Sequence, residues 1–254
     1  MARRVRLRTT SARIAVLSDV HANLPALDAA LSNIARLGAD VVYHTGDAIG
    51  IGPFPAECVD RLMNRPSTHL LMGNHDAWFA SGLPDESVTW MSAEEREHQE
   101  WVHAQLDPAL KQVVAAWPYA SSLRIDGLRL DFLHYPLNNA GDFHAPQDLT
   151  PEGAAALFQL PTSTLVFFGH DHRAWDVTAA GTRFIDPGSL GCCRDAVARF
   201  VIVEVETGGN YSLSFHGAPY DPRPVVQALE ARQVPARDFI RETFLPRDDG
   251  PRLA

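Results

Sequence analysis

No uninterrupted apolar run in this chain approaches the roughly 20 residues that a membrane span requires, although 46% of its 254 residues are hydrophobic. The chain is therefore expected to bury a sizeable core in one large domain rather than to cross a bilayer. Cysteine is scarce. Cys58, Cys192 and Cys193 are the only three, too few for a disulfide framework. The adjacent pair lacks zinc-finger spacing, so reduced thiols in a cytoplasmic protein are expected. An excess of positive charge is also missing. The formal net charge is −9, which argues against broad nucleic-acid binding. It leaves a nucleotide substrate open, because bound cations would reverse the field locally. There is no internal repeat or low-complexity block. The basic start leads into no apolar signal-peptide region, and residues 1–12 and 244–254 are expected to be flexible or frayed tails.

The pattern along the chain alternates strand and helix. Residues 13–18 read as a buried strand. Residues 25–34 follow with helical spacing and a proline in the first turn. Further strands are expected at 40–44, 69–72, 122–125, 128–134, 165–168, 182–185, 199–206 and 211–216. Helices are expected at 58–63, 92–101, 108–116 and 224–232, the last being the only helix expected near the C-terminus. Residues 77–116 read as a helical insertion beside the cleft. This order implies an α/β sheet with parallel pairs, on which ligands collect at the carboxyl ends of strands.

Four polar clusters fall at such ends. They are Asp19-Val20-His21, Gly46-Asp47-Ala48-Ile49-Gly50, Gly73-Asn74-His75-Asp76 and Gly169-His170-Asp171-His172. Asp19 and His21 are two apart, as are His170 and His172. On an extended strand end alternate side chains project the same way, so each pair would reach a common point. Asp47 lies between glycines that permit a tight turn, and its two oxygens could bridge two cations. Asn74 offers a neutral oxygen. His75 could donate a proton to a leaving group, with Asp76 available to tune or orient it. One more histidine ligand is expected among His134, His144, His103, His98 and His44. His134 is preferred because it closes the alternating run 128–133. His98 and His103 read as residues of a solvated helix, and His44 as a strand residue satisfied in or near the core. Together the clusters carry enough Asp, His and Asn to hold two metal ions, a composition that usually cleaves phosphate esters.

In order and content these clusters resemble the calcineurin-like metallophosphoesterase superfamily, and within it the bacterial YfcE-type branch of phosphodiesterases and phosphatases. The resemblance runs from about Ile14 to about Val205. It implies a four-layer α/β/β/α sandwich of two mixed β-sheets flanked by helices, as a single domain. It implies that Asp19, His21 and His172 hold a first metal, that Asn74, His134 and His170 hold a second, and that Asp47 bridges them. His75 resembles the catalytic histidine. Where relatives often carry Asn-Pro-Gly-Ser, this chain has Asp186-Pro187-Gly188-Ser189.

The protein phosphatases of the superfamily carry Gly-Asp-x-Val-Asp-Arg-Gly. Here the stretch is Gly46-Asp47-Ala48-Ile49-Gly50-Ile51-Gly52, without the arginine that would grip a phosphomonoester dianion. A phosphodiester is therefore the expected substrate. A phosphomonoester, of a protein or a nucleotide, is the alternative, with Arg194 or Arg173 supplying a cation, and a non-catalytic scaffold is a third reading. The expected reaction is attack by a hydroxide bridging two divalent cations, with His75 as general acid. Mixed Asp, Asn and His ligands suit Mn²⁺, the first expectation, or Fe, Ni²⁺ or Zn²⁺.

Overall fold

A computed structural model describes residues 11–85, 91–160 and 162–246. Ten strands form two mixed five-stranded sheets among the described residues. The first sheet contains β1 (Ser11–Leu17), β2 (Val41–His44), β3 (Thr68–Leu70), β9 (Val197–Glu206) and β10 (Tyr211–Pro219), in the order β10-β9-β1-β2-β3. The second contains β4 (Ala120–Ile125), β5 (Leu128–Leu133), β6 (Leu165–Phe167), β7 (Trp175–Ala179) and β8 (Thr182–Asp186), in the order β4-β5-β6-β8-β7. β1, β2 and β3 pair in parallel, as do β5, β6 and β8, and the flanking pairs are antiparallel.

The layers follow from the period-two alternation of each strand. Ile14 and Val16 point one way and meet Phe132, Phe167, Ile185 and Val203 between the sheets. Ala15 and Leu17 point the other way and meet Leu27, Ala30 and Ile34 of α1 (Leu24–Arg36), with α2 (Pro55–Met63) beside it. On the far face of the second sheet, Val166, Phe168 and Phe184 pack on Phe158 of α6 (Pro151–Phe158). The result is the expected four-layer α/β/β/α sandwich. β6 is buried on both faces, as a central parallel strand requires, which is why its sequence is a short continuous apolar run.

Between β3 and β4 the described residues form three helices: α3 (Asn74–Ser81), α4 (Ala93–Ala104) and α5 (Leu110–Ala115). They occupy the stretch read as a helical insertion. Trp90, one of its aromatics, is outside the described residues. After β10 come α7 (Arg223–Ala231) and α8 (Arg237–Phe244), one helix more than the sequence reading placed there. The tails are also shorter than expected where they can be seen. Ser11 and Ala12 already belong to β1 and pair with Glu206 and Val205. Leu245 is buried with Val225, Leu229 and Ile240 of the two terminal helices. The remaining tail residues, 1–10 and 247–254, are outside the described residues. No described helix is long and apolar enough to cross a membrane.

Candidate metal centre and cleft

The four clusters and His134 lie just beyond the carboxyl ends of β1, β2, β3, β5 and β6, so both sheets contribute at one edge of the sandwich. An isolated parallel bridge between Ser18 and Ser189 ties the two sheets together there.

The pairs do not converge by extended alternation. β1 ends at Leu17 and β6 at Phe167. Beyond them Asp19, His21, His170 and His172 all have positive φ (55°, 45°, 84° and 66°), and Asp47 joins them at 60°. Left-handed backbone is uncommon for such residues and clusters at functional sites. Here it bends each loop so that its side chains turn into one space. It also sends the two histidines of Gly169-His170-Asp171-His172 to different neighbours.

One group of donors gathers around His21. His21 Nε2 lies 2.8 Å from His172 Nε2, 3.7 Å from Asp19 Oδ1 and 3.8 Å from Asp47 Oδ2. Asp19 Oδ1 is 3.6 Å from His172 Nε2. A second group gathers around His134, whose Nε2 lies 3.1 Å from Asn74 Oδ1, 3.2 Å from His170 Nδ1 and 3.4 Å from Asp47 Oδ2. Asp47 Oδ2 thus faces both groups. Its other oxygen is engaged by the His75 backbone N–H at 2.9 Å, at the first turn of α3. These separations are those of donors arranged around a common cation with bonds of about 2.0–2.2 Å.

Neighbouring backbone orients the rings. Thr45 O is 3.1 Å from His134 Nδ1, and His144 O is 3.1 Å from His170 Nε2. The two rings therefore present Nε2 and Nδ1, respectively, to the shared space, the outer support that metal-binding imidazoles usually have. His144 contributes this carbonyl rather than its ring. Close packing of glycine permits the assembly, because a Cβ at Gly73 would collide with the Asp47 carboxylate.

Burial and the opposed charges of these groups set their ionisation. Burial and the neighbouring His172 hold the His21 imidazole well below its usual pKa. Burial and His134 push His170 down to about 3. Burial works against the Asp47 carboxylate, but His134 and His75 outweigh it and keep Asp47 well below the ordinary range. His134 also loses by burial, yet the Asp47 charge lifts it to about 9.

Asp76 does not meet the His75 ring through any observed hydrogen bond. Its buried carboxylate accepts from the backbone N–H groups of Asp47, Ile49 and Gly73 at 2.8, 3.1 and 3.0 Å. It therefore shapes the Asp47 loop. The partner of the His75 ring is Gln99, with Oε1 3.2 Å from Nδ1. Gln99 was invisible in the sequence because it comes from α4, far along the chain.

Arg194 lies against the C-terminal helix. Its guanidinium donates to the carbonyls of Thr243 and Glu242 at 3.1 Å each, at the end of α8, and it does not line the cleft. Arg173 pairs with Asp148 and Asp171. His98 is not on a solvated face. It is 4% exposed, and its Nδ1 is 3.0 Å from Pro235 O. His44 is buried, but neither ring nitrogen has a hydrogen-bond partner among the described residues.

A cleft of about 420 Å³ opens over the centre. Asp47, Asn74, His75, His170 and His172 form its base. One wall is α4 with Glu94, Glu95 and Gln99, and another is α8 with Phe239, Ile240 and Phe244.

The sequence profile of the calcineurin-like phosphoesterase superfamily domain matches residues 13–208. An uncharacterized protein of Methanocaldococcus jannaschii is 24% identical over 241 residues, covering 87% of this chain and 93% of its own. Among solved structures, a hypothetical protein of Pyrococcus horikoshii superposes with a TM-score of 0.77 at 17% identity, covering 92% of this chain and 98% of its own. A metallophosphoesterase of Sphaerobacter thermophilus superposes with a TM-score of 0.64 at 23% identity, covering 88% and 95%. A profile match over most of the chain, on a sandwich that gathers its Asp, Asn and His donors at one edge, shows that this chain belongs to the calcineurin-like phosphoesterase superfamily.

Proposed function

We propose that this phosphoric ester hydrolase acts on phosphodiesters. The observation that carries the diester preference is the lining of the cleft. None of its described residues is Lys or Arg, while Glu94 and Glu95 stand on its wall. A phosphomonoester carries roughly 1.5 to 2 negative charges at neutral pH, and a diester carries one. With no fixed cation beyond the metal centre, the smaller charge is the better match. Phe239, Ile240 and Phe244 offer an apolar wall for the group esterified to phosphate.

In this reading Asp19, His21 and His172 would hold one divalent cation, Asn74, His134 and His170 would hold another, and Asp47 would serve both. The donor chemistry fits, since imidazole nitrogen with carboxylate and amide oxygen suits Mn²⁺, Fe, Ni²⁺ or Zn²⁺. Such a pair of cations supplies Lewis-acid stabilisation of phosphoryl charge and activation of the attacking water. The protein orients the ester in the cleft, and His75, steadied by Gln99, donates a proton to the leaving oxygen. Asp76 keeps the Asp47 loop in place.

The test is hydrolysis of paired aryl phosphate diesters and monoesters by metal-stripped protein, with and without Mn²⁺, beside His75→Ala. Mn²⁺-dependent diester cleavage that disappears in the variant is the expected result. A monoester preference overturns the diester assignment, and inactivity on both with two bound metals favours a scaffold.

A further inference from the structure

We propose that Cys192 supplies a thiolate ligand to the cation held by Asp19, His21 and His172, an inference that rests on the two-cation reading above. The Sγ of Cys192 and ring nitrogens of His21 and His172 lie within 4.8 Å of one another. Bonds of about 2.3 Å to sulfur and 2.1 Å to nitrogen set an upper limit of about 4.4 Å between two donors on one zinc ion. Any remaining gap closes with a side-chain adjustment of a few tenths of an ångström.

The backbone delivers this thiol on the same scaffold as the other donors. Leu190 N donates to Ser18 O at 3.0 Å, and Gly191 N to Asp19 O at 2.9 Å. Ser189 Oγ donates to Asp19 O at 2.9 Å, and Asn23 Nδ2 to Gly191 O at 2.8 Å. A Cβ at Gly191 would collide with Val20 O, so this close approach needs glycine. Cys192 N then donates to Ser189 Oγ at 2.9 Å.

The other cysteines are differently employed. Cys193 Sγ has carbonyl acceptors at Ser189, Leu190 and Val197, at 3.4, 3.3 and 3.1 Å. Cys58 is buried in α2. Only Cys192 joins a group of metal-type donors among the described residues. His21, its neighbour there, is 1% exposed and presents Nε2 to His172 and two carboxylates, an arrangement that calls for a positive charge in their midst.

Ligation forms a metal–sulfur bond as the S–H bond ionises. The proton leaves to buffer and no electron is transferred. A soft donor on one side makes the two sites unequal. It favours Zn²⁺ or Fe²⁺ over Mn²⁺ at the Asp19 site and leaves the Asn74 site to harder ions.

The experiment reloads the stripped full chain with Co²⁺ and records its absorption. The wild type and Cys193→Ser should show a near-ultraviolet thiolate-to-cobalt charge-transfer band, and Cys192→Ser should lose it while keeping visible cobalt bands. Cobalt bands without charge transfer in the wild type, or a band that survives in Cys192→Ser, overturn the thiolate. Failure to bind cobalt at all overturns the two-cation reading and this inference with it, which is a distinguishable result. A measurement on the wild type alone guards against a variant that does not fold. X-ray absorption of the zinc-loaded protein should show a sulfur shell near 2.3 Å beside nitrogen and oxygen at about 2.0–2.2 Å, and its absence refutes the proposal.

Discussion

Gly50→Ala is a single-methyl perturbation aimed at the proton donor. Gly50 has φ +96°, and a Cβ built there would overlap His75 Nδ1 and lie 2.7 Å from Cγ and 3.1 Å from Cε1 of the same ring. Two costs follow. Holding alanine at positive φ costs about 1–3 kcal/mol. Relieving the overlap must move the ring by roughly an ångström, and a displacement of that size lowers turnover by about 100-fold. The three nearest atoms all belong to the His75 ring and none to the donor groups, so metal content should stay at the wild-type level. Gly127→Ala supplies the control. Gly127 sits in the turn between β4 and β5 with φ +86°, and a Cβ there meets nothing within 4 Å. Its variant should lose comparable stability in urea and keep full activity. The assay is diester turnover beside metal analysis and urea unfolding for both variants. Wild-type turnover in Gly50→Ala, or an equal loss in both variants, would refute the reasoning.

Other perturbations separate the roles within the centre. His75→Ala should reduce turnover by about 10²–10⁴-fold with metal retained, as measured by elemental analysis. Gln99→Ala should cost less and alter the pH–rate profile, because it frees the ring without removing it. Asp47→Asn should lose metal, since Asp47 Oδ2 is the oxygen facing both donor groups, and normal metal content in that variant would count against the bridging role. Acid should destabilise the fold through buried neutral histidines. Burial lowers His98 to about 4 and His44 to about 3, below the unfolded value of 6.5. Their contribution is therefore present above pH 6.5 and lost as pH falls toward those values. For His98 the loss is about 3 kcal/mol, and urea midpoints that do not change between pH 7 and 4 would contradict it.

The donors were legible in the sequence because each sits at a strand end, where a short apolar run abruptly meets Asp, Asn or His. The sandwich followed from the same runs through the resemblance they carried. What stayed hidden depended on contacts distant in sequence. Gln99 reaches His75 from another helix, and Asp76 turns toward backbone N–H groups rather than the neighbouring ring. Arg194 is taken up by the end of α8. No helix was expected beyond 224–232, yet α8 forms there and Phe239 and Phe244 face the cleft from it. The Asp-x-His spacing predicted convergence for the wrong geometric reason, since positive φ and not strand alternation brings the side chains together. β7 escaped because its hairpin turns at Ala180-Gly181 with φ 49° and 83°, without the Asn-Gly or Asp-Gly that announces such turns.

The split of the centre between two sheets also orders the birth of the molecule. The second sheet is drawn entirely from residues 120–186, whereas the first takes β1, β2 and β3 from one end of the chain and closes only when β9 pairs along β1, with Glu206 beside Ser11. Closing so long a loop is slow. The second sheet should therefore be complete first in pulsed hydrogen exchange during refolding, and simultaneous protection of β9 and β6 would contradict this. Each donor group draws on both sheets, His21 facing His172 and Asn74 facing His134, so neither group exists until the two sheets have met.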